Sequence, residues 1–549
     1  MPRREIAPGR SCLECRRRKI KCDRARPCAY CVRVRIACKY PTQRTALDED
    51  PTALDRMASL ESKLRAVEKR LSEITDSPRS SLLTGATSSR GDESYISHSS
   101  DMERLGGRES RPPSIPSSSI LLPQPYIEIE RLRPPPATIA LLWQKYLDVV
   151  DPLLKTFHTP TVQKLVMKAV RGRDGLDSPS ECLLFVIYYA TVAAMSEEDC
   201  RAEFEEERSV LLKEYRAGVE YLLSRLNVLE SSDLMVLQAL TIYLITGRCD
   251  ENGPDVYALV GLAVGMALKM GLNRDGAETG LSPFQVEMRR RLWWQLCILD
   301  VRVAEDRRSE PCILESSFNT RLPSNVSDAN LHPDMSRLPG VEHGRTEMLF
   351  SLVRFEGSYF ARQMVFSDTF SEANGYIKLS TAQKCQAIDL FQERIEKQYL
   401  SYCDDRIPLD KITMLSMRLI ITRLKLTVIS QTSLEAESKY KSKAQRRDWM
   451  TLLQDAETLR AYEPGKQWLW LFQTYIEWDA LAHLLLHLRN GPFGDDASTA
   501  WQLAYRVYNH WKDAQATWRD HRWKQIEELR LEVLRSRQMA HANQVMAGT

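Results

Sequence analysis

Apolar residues recur at helical spacing from about Thr138 to Ser536, with breaks at glycine, proline, asparagine and aspartate residues. This spacing predicts consecutive helices at 231–246, 253–275 and 284–306, whereas the alternation that indicates β-strands is almost absent. The chain is therefore predicted to form an all-α domain over residues 137–536, which is long enough to bury a substantial core. The remaining residues, 537–549, are predicted to form a tail.

A separate helical pattern lies upstream, in residues 53–75. Its apolar positions alternate in steps of three and four, as the a and d positions of about three heptads do. The pattern fits either a short dimerising coiled coil or one amphipathic helix that lies on the body of the protein. We favour the coiled coil, because no folded segment is predicted next to it on either side. The apolar positions are Met57, Leu60, Leu64, Val67, Leu71 and Ile74.

Residues 76–136 differ in composition from the helical regions on both sides. Serine, proline, arginine and glycine predominate there, and few apolar residues are available to bury. A segment of this composition cannot offset the entropy lost on folding, so we predict a disordered linker.

The most apolar runs of the chain do not predict a membrane span. The run at 183–195 is too short, and the run at 256–272 contains Lys269. No apolar segment follows the charged N-terminus, so no secretory signal is expected. We therefore expect an intracellular, reducing environment, in which the seven cysteines after Cys38 are buried free thiols.

Charge is distributed unevenly along the chain. Residues 1–44 contain fourteen lysine and arginine residues against three acidic residues, which gives this segment a net charge of +11. Because the whole chain has a net charge of +3, the other 505 residues carry −8. A basic segment on a mildly acidic body indicates that the segment binds a polyanion.

Six of the thirteen cysteines lie within this basic segment, spaced C-x2-C-x6-C-x5-C-x2-C-x6-C. The second three repeat the first three sixteen residues later. Tetrahedral zinc takes four ligands, and residues 1–44 contain no histidine, so six thiolates can hold two zinc ions only if two sulfur atoms bridge them. A segment this small cannot fold on apolar burial, so metal binding is expected to drive its folding. The predicted ligands are Cys12, Cys15, Cys22, Cys28, Cys31 and Cys38.

Other interpretations of the six cysteines are weaker. Iron–sulfur sites prefer other spacings, and a redox C-x-x-C motif should lie beside a strand–helix unit, which is not predicted here. One mononuclear site would leave two thiols unused and would not explain the repeat. We therefore predict two Zn²⁺ ions as cofactors and a protein that is not an enzyme.

The cysteine spacing, the basic run RRRKIKC and Pro27 before the fourth cysteine resemble the fungal zinc binuclear-cluster transcription factors. The resemblance implies that Cys12 and Cys28 are the bridging ligands. It also implies that Lys19 is the main base-reading residue, with Arg18 beside it. The expected function is then a nuclear regulator of genes transcribed by RNA polymerase II, which reads CGG half-sites in the major groove of double-stranded DNA. Two copies joined through residues 53–75 would form a homodimer that reads two half-sites.

The cations around the first three cysteines are the predicted DNA-binding residues. Their charge would attract any duplex with a strong dependence on salt, and a helix end in the major groove can present a cation to guanine. A solvated basic surface and a nuclear-import signal are alternative interpretations, and import could coexist with DNA binding. Arg33, Arg35 and Lys39 are expected near phosphates. The predicted set is Arg10, Arg16, Arg17, Arg18, Lys19 and Lys21.

Residues from about 138 to 490 resemble the fungal-specific transcription-factor domain of the same regulators. The segments LVGLAVGMALKMGLNRD and, above all, EMRRRLWWQLCILDVRVAED carry this resemblance. It implies that the all-α body regulates activity by sensing a small-molecule effector and acts on the transcription machinery.

Several features of this body have both a functional and a structural interpretation. Trp293 and Trp294 could stack on bases, but on an apolar helix they are expected in the core. The arginines of MRRRLWW could bind phosphates, but we expect them to pair with acids of the body. The acidic stretch 197–207 resembles an activation segment in composition, but inside a helical domain we expect a solvated face.

One enzymatic alternative remains for the body. Asp479, His483 and His487 share a helical face at a spacing that metal hydrolases use, but no glutamate lies between the histidines and the helix is rich in leucine. The competing hypothesis for the whole chain is therefore an enzymatic or scaffolding body, with incidental DNA binding by the cysteine cluster.

Overall fold

The structure, a computed structural model, divides into two units, Met1–Glu109 and Ser110–Thr549. The predicted coiled coil and nearly all of the predicted linker before residue 126 lie outside the residues that the structure describes. Those residues are 12, 15, 21–23, 27–34, 36, 38 and 120, and then 126–547 except 173–175, 251–252, 308, 343, 433–442, 474–476, 491–494 and 514–520.

The described part of the first unit surrounds one short helix, α1 (Ala29–Arg33). Cys28 is the N-cap of α1, and its Sγ accepts a hydrogen bond of 3.4 Å from the N–H of Cys31. Both carboxylate oxygens of Asp23 accept from the N–H of Ala29, at 3.1 and 3.2 Å. The second C-x2-C pair therefore coincides with the first turn of a capped helix.

The second unit is all-α in its described part, as the apolar pattern predicted, and no strand occurs among its described residues. Its helices follow in chain order: α2 (Ile129–Leu132), α3 (Pro136–Val149), α4 (Thr159–Arg171), α5 (Ser178–Ala194), α6 (Glu197–Phe204), α7 (Arg208–Arg225), α8 (Leu234–Gly247), α9 (Val256–Lys269), α10 (Pro283–Arg307), α11 (Leu349–Val365), α12 (Asp368–Ala373), α13 (Thr381–Gln398), α14 (Pro408–Thr432), α15 (Lys443–Arg460), α16 (Trp478–Asn490), α17 (Asp495–Asp513) and α18 (His521–Ala547).

Local sequence signals set several helix ends. Asp177, Asp233 and Ser380 accept hydrogen bonds from backbone N–H groups in the first turns of α5, α8 and α13, and Ser380 forms a capping box with Gln383. Helix α9 stops two residues before Gly271, whose φ of 70° lies in the left-handed region that glycine tolerates. Polar caps and glycine breaks therefore divide the long apolar sequence into separate helices.

Within the described residues, the helical domain has two large hydrophobic cores and a small third cluster of Met288, Val326 and Leu331. The larger core is built mainly by α3 to α11, and α5 lies inside it, packed against α3, α7 and α8. The smaller core joins α15, α16, α17 and α18. Helix α14 contributes to both, because Leu424 belongs to the larger core and Leu426 to the smaller one. None of the described helices combines the length and the apolar character needed to cross a lipid bilayer.

The ends of the helical domain differ from those predicted. Helix α2 lies within the predicted linker 76–136, and its Ile129 is buried. Helix α18 continues to Ala547, beyond the predicted end of the domain at residue 536. Val533 is its last buried residue among those whose burial is described, and residues 534–539 are partly or fully exposed.

The tryptophans and arginines of α10 have structural roles, as expected. Trp293 and Trp294 are buried, and the Nε1 of Trp294 donates a hydrogen bond to the backbone carbonyl of Arg321. Arg290 donates two hydrogen bonds to Asp275, at 2.8 and 3.0 Å. Contacts with acids of the body therefore replace the contacts with bases or phosphates that were the alternative.

A buried network of charges joins α10 to the loop that follows it. Arg291 is fully buried and donates to Asp328 at 2.6 Å and to Glu287 at 3.2 Å. Lys155 lies 3.4 Å from Asp328 and 2.6 Å from Asp151. Burial raises the pKa of the Asp328 carboxyl, but Arg291 and Lys155 outweigh this effect and hold the pKa well below its usual value. Helical periodicity gives no sign of this network, because Lys155, Arg291 and Asp328 come from distant parts of the chain.

The acidic stretch forms the exposed side of α6 and the turn after it, with Cys200 as its buried anchor. This placement agrees with a solvated face.

Candidate metal centre and nucleic-acid interface

Four of the six predicted ligands lie together, with their sulfur atoms within 4.8 Å of one another: Cys12, Cys15, Cys28 and Cys31. All four residues are completely buried. None of them forms a disulfide. The Sγ atoms of Cys12 and Cys28 are 3.7 Å apart, and those of Cys15 and Cys28 are 3.6 Å apart. A tetrahedral zinc site with Zn–S bonds of about 2.3 Å has sulfur atoms about 3.8 Å apart. The sulfur spacing therefore fits zinc.

Cys12 and Cys28 each approach the opposite half of the repeat. Cys12 belongs to the first half, yet its Sγ lies 3.7 Å from the Sγ of Cys31 in the second half. Cys28 belongs to the second half, yet its Sγ lies 3.6 Å from that of Cys15 in the first half. A bridging thiolate has to lie close to the ligands of both metals, and these two sulfur atoms meet that condition.

The third cysteine of each half lies at the edge of this group, close to Cys28. The Sγ of Cys22 lies within 4.8 Å of ligand atoms of Asp23 and Cys28. The Sγ of Cys38 accepts a hydrogen bond of 3.3 Å from the N–H of Cys28. Both residues are partly exposed, so the two half-repeats enclose a buried centre of four sulfur atoms between two peripheral ones.

The local hydrogen bonds favour the thiolate form of Cys28. Burial raises the pKa of this thiol, but hydrogen bonds from the backbone and side chain of Cys31 outweigh burial and lower the pKa to about 6. Burial raises the pKa of the neighbouring Cys12, Cys15 and Cys31 thiols, as it does for Cys182 and Cys297 in the helical domain. Geometry separates the two sets, because the four sulfur atoms of the first unit lie together, whereas Cys182 and Cys297 belong to no such group within the described residues.

The predicted nucleic-acid contacts are described only in part. Lys21 is exposed, and Arg33 is exposed on α1 with its guanidinium 5.8 Å from the ring of Tyr30. The other predicted contacts and all six predicted dimerisation residues lie outside the described residues: Arg10, Arg16, Arg17, Arg18, Lys19, Met57, Leu60, Leu64, Val67, Leu71 and Ile74.

The histidines of α16 have partners other than a metal. The ring of His483 stacks on Trp449 with 4.7 Å between the centroids. The Nε2 of His487 lies 3.2 Å from a guanidinium nitrogen of Arg446, and burial together with this cation lowers the pKa of His487. A neighbouring arginine repels a metal cation. Within the described residues, potential metal-ligand groups occur only in the first unit.

Comparisons with known proteins assign each of the two units to a known protein family. Residues 10–47 match the fungal Zn(2)-Cys(6) binuclear cluster domain, and residues 143–452 match the fungal specific transcription factor domain. The aurofusarin cluster transcription factor aurR2 of Gibberella zeae is 30% identical over 539 residues, which cover 93% of this chain and 77% of that protein. The transcriptional regulator AacuB of Aspergillus aculeatus is 28% identical over 571 residues, with 91% and 77% covered.

A further relative matches over a shorter stretch. The pyriculol/pyriculariol biosynthesis cluster transcription factor 1 of Pyricularia oryzae is 37% identical over 231 residues, which cover 42% of this chain and 31% of that protein. The sulfur geometry and both domain matches agree with one another. The chain belongs to the fungal Zn(2)-Cys(6) transcription factors, DNA-binding proteins rather than enzymes, and its six-cysteine cluster binds two zinc ions.

Proposed function

We propose that this protein is a nuclear, homodimeric regulator of RNA polymerase II genes that reads CGG half-sites through its zinc cluster. The single observation that carries the proposal is the approach of Cys12 to Cys31 and of Cys15 to Cys28, across the two halves of the cysteine repeat. Two metals that share Cys12 and Cys28 turn both halves into one rigid unit. Such a unit can present a fixed basic surface to a DNA groove.

The basic run is flanked in the sequence by two cysteines of the cluster. Residues 16–21 connect Cys15 to Cys22, and both cysteines are ligands in the proposed centre. A segment held at both ends by a metal centre would lose little further entropy on binding, which favours recognition over loose electrostatic attraction. Lys19 is proposed to contact guanine in the major groove, with Arg18 beside it.

Two copies would give the discrimination that one triplet lacks. The a and d pattern of residues 53–75 supports a coiled-coil dimer, and the eighteen residues between Cys38 and Met57 would then help to set the half-site spacing. The names of two relatives describe regulators of the aurofusarin and pyriculol/pyriculariol clusters. We propose by analogy that this chain regulates a biosynthetic gene cluster, acts on the transcription machinery and responds to a small-molecule effector.

The decisive experiment measures the affinity of the full-length, zinc-loaded protein for a CGG duplex and for a scrambled duplex. Lys19→Ala should abolish most of the preference for CGG, roughly 10- to 100-fold for one lost bidentate contact. Arg33→Ala, the matched control, should weaken binding to both duplexes equally. It should also reduce the slope of log affinity against log salt concentration by about one. A Lys19→Ala protein that still prefers CGG would refute the proposed reading.

The dimer has its own test. Leu64→Asp places a charge in the predicted seam and should convert the protein to a monomer in sedimentation equilibrium. Ser62→Asp adds the same charge on the opposite face of the predicted helix and should leave the dimer intact. Equal behaviour of the two variants would exclude residues 53–75 as the dimer interface. Loss of target-gene expression with Lys19→Ala, matching that in a deletion strain, would exclude a purely scaffolding body.

A further inference from the structure

A cavity of about 530 Å³ lies between the two cores of the helical domain. Helices α10 and α11 form one side of it, and α14, α15 and α16 form the other. Small-molecule sites usually have volumes of about 300–1,000 Å³. The exposed residues Glu310, Arg423 and Asp479 belong to its wall, so the cavity reaches the surface. Protein interiors are close-packed, and a space of this size at the junction of two cores therefore indicates a ligand site.

The wall of the cavity is largely apolar and aromatic. Phe366, Trp449, Phe472 and Trp478 contribute rings, and the remaining apolar surface comes from leucine, isoleucine, valine and alanine side chains. Aromatic side chains pack best against flat apolar groups, with offset or edge contacts. The lining therefore selects an apolar ligand that contains at least one planar ring.

Polar side chains of the same wall can donate hydrogen bonds. Ser358 and Ser367 contribute hydroxyl groups, and Arg423 contributes a guanidinium group. A guanidinium can only donate, and a hydroxyl donates as well as accepts. A ligand that pairs with these groups has to carry acceptor oxygens.

A small chamber extends the polar part of the site. It has a volume of about 20 Å³ and shares Ile298, Arg302 and Arg354 with the large cavity. Gln295 lines it, is completely buried, and has no hydrogen-bond partner for either amide atom within the described residues. The chamber can hold one water molecule.

The charged side chains of the wall largely pair with one another. Arg460 lies 3.0 Å from Glu477, and Arg423 lies 3.7 Å from Glu305. Arg302 also pairs with Glu305. The wall contains five arginines and four carboxylates in all, so its formal charge is +1 and it does not offer the concentrated positive charge that a phosphate or a polycarboxylate needs. The ligand should be neutral or weakly acidic.

We propose that this cavity is the effector site and that it takes an apolar, partly aromatic small molecule with several ketone or hydroxyl oxygens and little net charge. That the bound molecule regulates activity rests on the proposed function, whereas the prediction that the cavity binds such a molecule does not. A ligand in this position contacts α10 and α11 on one side and α15 and α16 on the other. It would therefore favour one arrangement of the two cores over others, which is the differential affinity that regulation requires.

The test uses 1,8-dihydroxyanthraquinone, a planar aromatic with ketone and hydroxyl oxygens, titrated calorimetrically into the full-length, zinc-loaded protein without DNA. Ala361 lines the cavity, so Ala361→Trp should fill it and lower the affinity at least tenfold. Ala387 is half-buried on α13 and does not line the cavity, so Ala387→Trp is the matched control. The wild-type protein and this control should bind alike.

A second pair of variants tests the hydrogen-bond donors of the wall. This pair keeps the proposal testable if Ala361→Trp does not fold. Ser358→Ala removes a hydroxyl group from the wall of the cavity and should weaken probe binding roughly three- to tenfold. Ser371→Ala makes the same change on α12, outside the cavity, and should have no effect. The proposal is overturned if the wild-type protein does not bind the probe, or if Ser358→Ala and a folded Ala361→Trp bind it as tightly as their controls. Because these titrations contain no DNA, a failure to bind the probe would leave the proposed reading of CGG sites untouched. A failure of the DNA-binding test would likewise leave the proposed ligand site untouched.

Discussion

Replacing Arg291 with methionine tests how much the buried charge network stabilises the helical domain. The network contains three carboxylates, Asp151, Glu287 and Asp328, and two cations, Lys155 and Arg291, so its formal charge is −1. The side chains of Arg291 and Glu287 are both 0% exposed. Removing the guanidinium leaves a formal charge of −2 in a site that water does not reach.

The magnitude follows from the two hydrogen bonds that would be lost. Arg291 lies 2.6 Å from Asp328 and 3.2 Å from Glu287. Hydrogen bonds to charged groups contribute about 1.5–3 kcal/mol each, and breaking a buried ion pair by removing one partner costs about 3–5 kcal/mol. Because methionine keeps much of the apolar volume, we expect a loss of about 3–5 kcal/mol in the free energy of unfolding, a large part of the stability of an ordinary domain.

The measurement is urea unfolding at neutral pH, followed by far-ultraviolet circular dichroism and by tryptophan fluorescence. Arg201→Met is the control, because Arg201 pairs with Glu197 at 3.2 Å on the surface and its side chain is 62% exposed. An exposed pair of this kind contributes at most about 1 kcal/mol. If the two variants differed by less than about 1 kcal/mol, the stabilising role of the buried network would be refuted.

Acid should reduce the difference between wild type and Arg291→Met. Arg291 and Lys155 hold the pKa of Asp328 below its ordinary value against the opposing effect of burial. A carboxyl of this kind stabilises the fold above its unfolded pKa of about 4, and the contribution is lost as the pH falls through the folded pKa. In the variant the pKa of Asp328 rises, so the deficit should be greatest at neutral pH and smaller at acidic pH.

Three further predictions concern the metal centre, a buried histidine and two glycines. Cys28→Ser should lower the zinc content of the purified chain below two ions, whereas the core substitution Cys182→Ser should leave two; equal zinc contents would contradict a bridging role. Burial lowers the pKa of His158, so the wild type should lose stability as the pH falls from about 7 to 5, because the unfolded histidine then binds a proton that the folded one does not. His158→Gln should make the free energy of unfolding fall less steeply between pH 7 and 5. If the fall were as steep as in the wild type, other titrating groups would have to cause it. Gly261→Ala, in open space within α9, should stabilise by about 0.5–1 kcal/mol. Gly253→Ala places a Cβ 2.1 Å from a backbone carbonyl oxygen of α8 and should lower the free energy of unfolding by at least about 1–3 kcal/mol. If the two glycine variants unfolded at the same urea concentration, both predictions would be contradicted.

Several properties of this protein could be predicted because they depend on local sequence. Ligand spacing is local, and the six cysteines revealed a zinc centre through their sixteen-residue repeat. Helical periodicity is also local, so the all-α body and the buried Trp293 and Trp294 were both accessible. The extension of α18 to Ala547 was not predicted, because the regular apolar spacing ends at about residue 536.

The sequence by itself therefore determined the metal, the family and the helical nature of the body. Only the tertiary structure decided which distant side chains meet, such as Arg291 and Asp328, which are 37 residues apart. It also decided that the two cores leave a cavity between α10, α11 and α14 to α16, which side chains from both cores line. Periodicity states which face of a helix is buried, but not against which partner or how completely the space is filled. Those outcomes depend on how whole helices pack, and no single segment encodes them.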